Sequence, residues 1–151
     1  MKARLVAVLL VAASCSDSSF GPRERMDVYR AHALWTASRP PSYTYEVRVS
    51  CFCAPGLEAW TEVHVVGNSV VSAKRLEPTF GNPPELPPEY WPSVDKLFET
   101  LLSSFDSNYI SDIDASFDPQ LGYPLVIGLS CPPDYLDCGT VYYARNLKPS
   151  P

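Results

Sequence analysis

The chain predicts an α+β domain: an antiparallel β-sheet with helices packed on one face, in the order α-βββ-α-βββ. Three observations carry that prediction. The run Tyr43-Thr44-Tyr45-Glu46-Val47-Arg48-Val49-Ser50 alternates apolar and polar residues without a break. Tyr43, Tyr45, Val47 and Val49 share one face, so this is a half-buried strand with one wet side. Val94, Leu97, Phe98, Leu101, Leu102 and Phe105 repeat at helical spacing and make the best amphipathic helix of the chain. Between two further alternating runs stands Gly67-Asn68, a two-residue loop of hairpin type.

The elements follow in order. Pro22 to Arg39 reads as a helix whose core side is Met26, Tyr29, Ala33 and Leu34, with Ala37. Trp35 lies off that stripe and is placed at the edge of the core. Pro40-Pro41 stops the helix. Strand one is Tyr43 to Ser50, and Ala54-Pro55-Gly56 after it is turn chemistry. Ala59 to Val66 is strand two, with Thr61, Val63 and Val65 opposite Trp60, Glu62, His64 and Val66. Ser69 to Leu76 returns as strand three, completing a meander. Pro78 to Pro92 holds six prolines, which excludes a central strand or a helix interior. It is either a stiff loop lying over the sheet or helix, or a binding loop that uses Phe80, Tyr90 and Trp91.

Ser93 then caps the second helix, and Asp95 sits in its first turn, where the helix dipole favours an acid. Tyr109 to Phe117 is strand four, with Ile113, Ala115 and Phe117 inward and Asp112, Asp114 and Ser116 outward. Asp118 to Gly122 is a tight turn with glycine where positive φ is needed. Pro124 to Ser130 is strand five and Cys131 to Cys138 a loop. Thr140 to Leu147 is strand six, and the tail after Lys148 is expected to fray.

The 151 residues and 46% hydrophobic content suit one domain with a single core. The formal charge of −5 makes nucleic acid or an anionic lipid surface a poor partner for the chain as a whole. Residues 1–14 read as a signal peptide. Lys2 and Arg4 precede an apolar run, Leu5 to Ala13, that is too short to span a bilayer. Val11-Ala12-Ala13-Ser14-Cys15 resembles the lipobox of bacterial lipoproteins. The resemblance implies cleavage before Cys15, a lipid on its sulfur, and attachment to the cell envelope on the periplasmic or extracellular side. Residues 15–21 are then a tether and 22–151 a single domain. Losing Lys2 and Arg4 with the signal takes the formal charge from −5 to −7.

Cys51, Cys53, Cys131 and Cys138 remain, an even number in an oxidising compartment, and two disulfides are the plain reading. Two extended residues separate Cα atoms by about 6.6 Å, whereas a disulfide prefers about 5.5–6 Å. A Cys51–Cys53 bridge therefore needs the strand to bend. Cys131 and Cys138 flank a short loop and are expected to pair locally. The rival pairing joins strand ends, for example Cys51 to Cys131. Redox exchange at Cys51 and Cys53 is held as an alternative activity, although the sequence offers no basic neighbour or helix N-terminus to favour a thiolate.

The four cysteines lack zinc spacing. His32 and His64 read as structural. Asp112, Asp114 and Asp118 fit a wet strand face without a metal or glycosidase role. Neither a serine elbow nor a phosphate loop occurs. The chain is thus read as no enzyme, with no metal and no cofactor.

Cys51-Phe52-Cys53, the Gly67-Asn68 hairpin followed by Val70-Val71, Leu97-Phe98 in the second helix, and Phe117-Asp118-Pro119-Gln120-Leu121-Gly122-Tyr123-Pro124 occur together. In this combination the chain resembles a family of bacterial envelope proteins catalogued only as a domain of unknown function. The resemblance covers Leu34 to Leu147 and implies no activity. It also implies that Cys-Phe-Cys stands without the second cysteine pair, so that each pair is self-sufficient. The chain departs from the family at Cys131 to Cys138, where an acidic turn is usual. The expected function is a lipid-anchored extracytoplasmic module that binds an envelope protein or a small ligand through one sheet face or the proline loop.

Overall fold

The computed structural model describes residues 21–135 and 138–150. The signal segment, Cys15 and the tether up to residue 20 lie outside the described residues. The chain forms helix α1 (Pro22–Ser38), strands β1 (Ser42–Cys51), β2 (Thr61–Val66) and β3 (Ser69–Arg75), a 3-10 turn (Pro88–Tyr90), helix α2 (Val94–Ser104), and strands β4 (Asp112–Phe117), β5 (Pro124–Ser130) and β6 (Thr140–Pro149). Six strands make one sheet in the order β3-β2-β1-β6-β5-β4. All five pairings are antiparallel. Each half is a meander, and β1 against β6 joins them.

The alternation of β1 is realised residue by residue. Tyr43, Tyr45, Val47 and Val49 are buried, while Thr44, Glu46 and Arg48 between them are only partly covered. Tyr43, Tyr45 and Val47 share one cluster with Val28 and Trp35 of α1, Val94, Leu97, Phe98 and Leu101 of α2, Val63 and Val65 of β2, and Ile127 of β5. Trp35 meets Tyr43 edge-on at 5.4 Å, and Phe98 stacks parallel on Phe117 at 6.0 Å. On the other side Glu46 accepts hydrogen bonds from Arg145 (2.7 Å) and Asn146 (2.8 Å), tying β1 to β6. The Arg48 guanidinium lies between the rings of Trp60 and Tyr143, at 5.0 and 4.5 Å.

Two expectations are corrected. In α1 the buried residues are Val28, Ala31 and Trp35, whereas Met26, Tyr29, Ala33, Leu34 and Ala37 face solvent. Trp35, expected at the core edge, has no exposed surface. The reason lies in a turn far along the chain. Gly122 has φ +79°, and a Cβ there would stand 2.4 Å from the Ala31 carbonyl oxygen and 2.9 Å from the Trp35 nitrogen. The bare glycine backbone is the seat on which this side of α1 rests. Ser38 Oγ adds a hydrogen bond to the Leu121 carbonyl at 3.2 Å. The second correction concerns the C-terminus. Lys148 and Pro149 pair opposite Thr44 and Tyr43, and the Ser150 N–H donates to Ser42 at 2.9 Å, so the expected fraying is replaced by strand.

Gly122→Ala is expected to lower stability by about 2–5 kcal/mol, from left-handed strain plus overpacking. At Gly128 a Cβ would meet Asp114 only at 3.6 Å, so Gly128→Ala should stay near the parent. Urea unfolding of the two variants side by side checks this; equal midpoints would disprove the seat.

Candidate functional site

β1 ends at Cys51, and there the backbone bends. The Cα atoms of Cys51 and Cys53 are 5.3 Å apart, shorter than two extended residues span, and the two cysteines stand at disulfide distance. The turn that follows is closed by Gly56, at φ +104°, whose N–H donates to the Glu58 carboxylate at 2.8 Å. Val49 N–H then donates to the Leu57 carbonyl at 2.7 Å. That bond folds the loop back beside the end of β1. Phe52, between the cysteines, is left 83% exposed.

A second wall comes from the end of the proline loop and the start of α2. The Tyr45 hydroxyl donates to the Pro92 carbonyl, and the Val94 N–H donates to the Tyr43 hydroxyl at 3.1 Å. Burial raises the pKa of both phenols, so they remain neutral hydrogen-bonding groups. Ser93 Oγ caps α2 by accepting from the Lys96 N–H at 3.2 Å, and it donates to Asn68 at 2.8 Å. The proline loop thus has two parts. Its early part is pinned at the β3 edge, where Arg75 donates to the carbonyls of Pro83 and Pro84 at 2.9 Å each. Its late part, Tyr90 to Pro92, faces a cleft.

That cleft has a volume of about 440 Å³. Cys51, Phe52 and Cys53 form one side; Tyr90 and Trp91 roof it; Lys96 and Thr100 line it from α2 and Tyr142 from β6. Burial raises the Tyr142 phenol pKa as well, and no described residue hydrogen-bonds its hydroxyl. Lys96 Nζ is 2.7 Å from Glu99 in an exposed pair, which holds the ammonium only weakly. The arrangement offers aromatic surface, the Lys96 cation, the Glu89 carboxylate and the phenols of Tyr90 and Tyr142 to a guest. Volume and lining are those of a small-molecule or side-chain site.

Of the residues singled out by sequence, Cys51 and Cys53 lie in this cleft and the other pair lies outside its lining. Cys131 and Cys138 stand at disulfide distance between β5 and β6, with Cα atoms 6.1 Å apart. β1 and β5 are separated by β6, so the strands of the rival Cys51–Cys131 pairing are not neighbours. His32 packs on Phe98 at 4.7 Å, and His64 Nε2 is 2.9 Å from Ser42 Oγ. Asp118 Oδ1 accepts from the Gln120 and Leu121 N–H groups and is occupied in its turn. Among the described residues no group of three or more His, Cys, Asp or Glu is placed to hold a metal ion. Sequence reasoning missed Lys96, Thr100 and Tyr142. Nothing in helical or strand periodicity marks a polar residue beside a distant strand end.

The Tyr45 hydroxyl fixes the roof, so Tyr45→Phe should cost about 1–3 kcal/mol by leaving the Pro92 carbonyl without its donor. Thermal unfolding measures it. An unchanged midpoint would mean that the roof is held by packing alone.

No curated protein and no solved structure matches this chain. A family of unknown function, DUF6174, matches residues 27–149, nearly all of the described domain. The chain belongs to that family.

Proposed function

We propose that the protein is a lipid-anchored extracytoplasmic binding module that holds a small ligand, or a segment of an envelope protein, in the cleft at the end of β1. The observation that supports this reading is the cleft itself, about 440 Å³ and walled by Phe52, Tyr90, Trp91 and Tyr142. Phe52 and Tyr90 are exposed at the cleft, and aromatic side chains around a concavity give a guest large contact area at small entropy cost. Both helices are read as one layer on the buried side of the sheet, following the order α-βββ-α-βββ, and the cleft opens where that layer stops. The bend after Cys51 and the rigid prolines shape it before any guest arrives.

The anchor and the cleft are tested separately. Cys15→Ala is expected to move the protein from the membrane to the soluble fraction of the envelope. Retention of the variant in the membrane would rule the anchor out. A photo-crosslinking amino acid at position 90 is expected to give adducts in cells that the same group at Ser72, on the β3 edge, does not give. Native mass spectrometry of the parent covers small ligands. Equal labelling at both positions together with an unliganded mass would rule the cleft out.

A second reading is thiol–disulfide exchange. Cys51 and Cys53 line the same cleft as Lys96, and a cation close to a thiol lowers its pKa. A partner's thiolate would attack one sulfur and form a mixed disulfide. The other sulfur would leave as a thiolate. It would then either expel the partner as a thiolate and re-form the Cys51–Cys53 bond, or stay reduced while a second thiolate of the partner attacks the partner's own sulfur, so that the partner leaves as a disulfide and Cys51 and Cys53 are left as thiols. Peptide mapping across glutathione redox buffers is expected, on this reading, to show Cys51–Cys53 reduced while Cys131–Cys138 stays closed. A linked peptide joining the two regions, or equal resistance of both pairs, would exclude it.

A further inference from the structure

The apolar stripe of α1 is largely uncovered in the fold; Leu34 at its side borders Gly122, where an added Cβ would stand 3.0 Å from the Leu34 Cβ. Val28, Ala31 and Trp35 point into the core, and the opposite side carries Met26 (51% exposed), Tyr29 (53%) and Leu34 (39%). Arg23 and Arg30 lie among them, around a shallow depression of about 350 Å³ that Met26 and Asp27 also line. A helix face of arginines with methionine, tyrosine and leucine suits the boundary between headgroups and acyl chains. There the apolar side chains enter and the guanidinium groups meet phosphates.

We infer that this face of α1 docks on the bilayer that holds the chain, an inference that rests on the lipid-anchor reading. The argument is one of reach. Cys15 precedes Gly21 by six residues, which span at most about 20 Å. The 17 residues of α1 extend about 25 Å. The anchor therefore holds the start of α1 within about 20 Å of the membrane, close enough for the helix to lie along the surface.

The charges around the face are compatible with this occupant. Glu24 is engaged by the Gly21 N–H at 2.7 Å, and Asp27 lies 3.5 Å from Arg30 in an exposed pair. Arg25 is turned aside, to the Phe105 carbonyl and Asp106. Arg23 has no partner among the described residues. An acidic domain thus presents its anchor-proximal helix with two arginines on the outward side, flanking Met26. A second copy of the chain is the weaker occupant, since a stable protein interface takes about 20–30 residues a side and this stripe is one helix wide.

The test uses the oxidised chain from Cys15 onward, coupled through the Cys15 thiol to a maleimide phospholipid in phosphatidylethanolamine–phosphatidylglycerol nanodiscs. Chemical coupling makes the result independent of whether cells lipidate Cys15, which the fractionation above decides. With a gadolinium lipid in the disc, amide NMR signals of residues 23–37 are expected to broaden most. The double variant Met26→Asp and Tyr29→Asp, both more than half exposed, should lose that preference while keeping the parent's remaining spectrum. Even broadening over the domain, or strongest broadening at another face, would overturn the inference. So would a dimer in sedimentation equilibrium that the same double variant abolishes.

Discussion

The architecture depends on β1 keeping its alternation while lying in the middle of the sheet. It pairs with β2 on one side and β6 on the other, so both meanders take their register from it. A shift of one residue would turn Tyr43, Tyr45, Val47 and Val49 to the wet side and bring Glu46 and Arg48 into the core. The two tyrosines also carry polar tips that buried surroundings require to be satisfied. Those tips reach Val94 and Pro92. The central strand therefore sets where α2 begins as well as what it packs on.

The cleft follows from the same strand. β1 continues as far as Cys51, and the chain bends at Cys-Phe-Cys and returns through the Gly56 turn, where the Leu57 carbonyl accepts from the Val49 N–H. The roof above it is the part of the proline loop that Tyr45 holds. One strand thus supplies a floor at Val49, a wall at Cys51 and Cys53, and the hydrogen bond that fixes the cover. Prolines in the cover limit its freedom, which under the proposed function would lower the ordering cost of capturing a guest.

The Asp118-to-Pro124 motif has a structural use. Asp118 satisfies the N–H groups of its own turn, and Gly122 lets the α1 backbone approach where any Cβ would collide. That contact explains how α1 came to be read the wrong way round. Helical periodicity in this segment supports two apolar sides, one with Met26, Tyr29, Ala33 and Leu34 and one with Val28, Ala31 and Trp35. The first holds more residues. The second holds the largest side chain and the backbone that fits the glycine. α2 offered no such choice, because its outward side is polar, and Val94, Leu97, Phe98 and Leu101 are buried as their spacing requires.

Local pattern by itself determined the strands, the hairpin at Gly67-Asn68, the second helix and the mixed α+β class. Each of these follows from side-chain period and turn chemistry within a short window. It also picked out Cys51 and Cys53 and, as one of two readings, a proline loop binding through Phe80, Tyr90 and Trp91, of which Phe80 lies outside the cleft lining. Tertiary structure alone decided that these two segments face one another across a cleft with Lys96, Thr100 and Tyr142, since residues so far apart in the chain meet only through strand order and helix placement. It likewise decided which side of α1 is buried and that the C-terminal tail is strand. In both cases the deciding group is a partner distant in sequence, Gly122 for the helix and Tyr43 and Thr44 for the tail. The pattern of a segment states what it can bury or pair, and only the partner's position selects among those options.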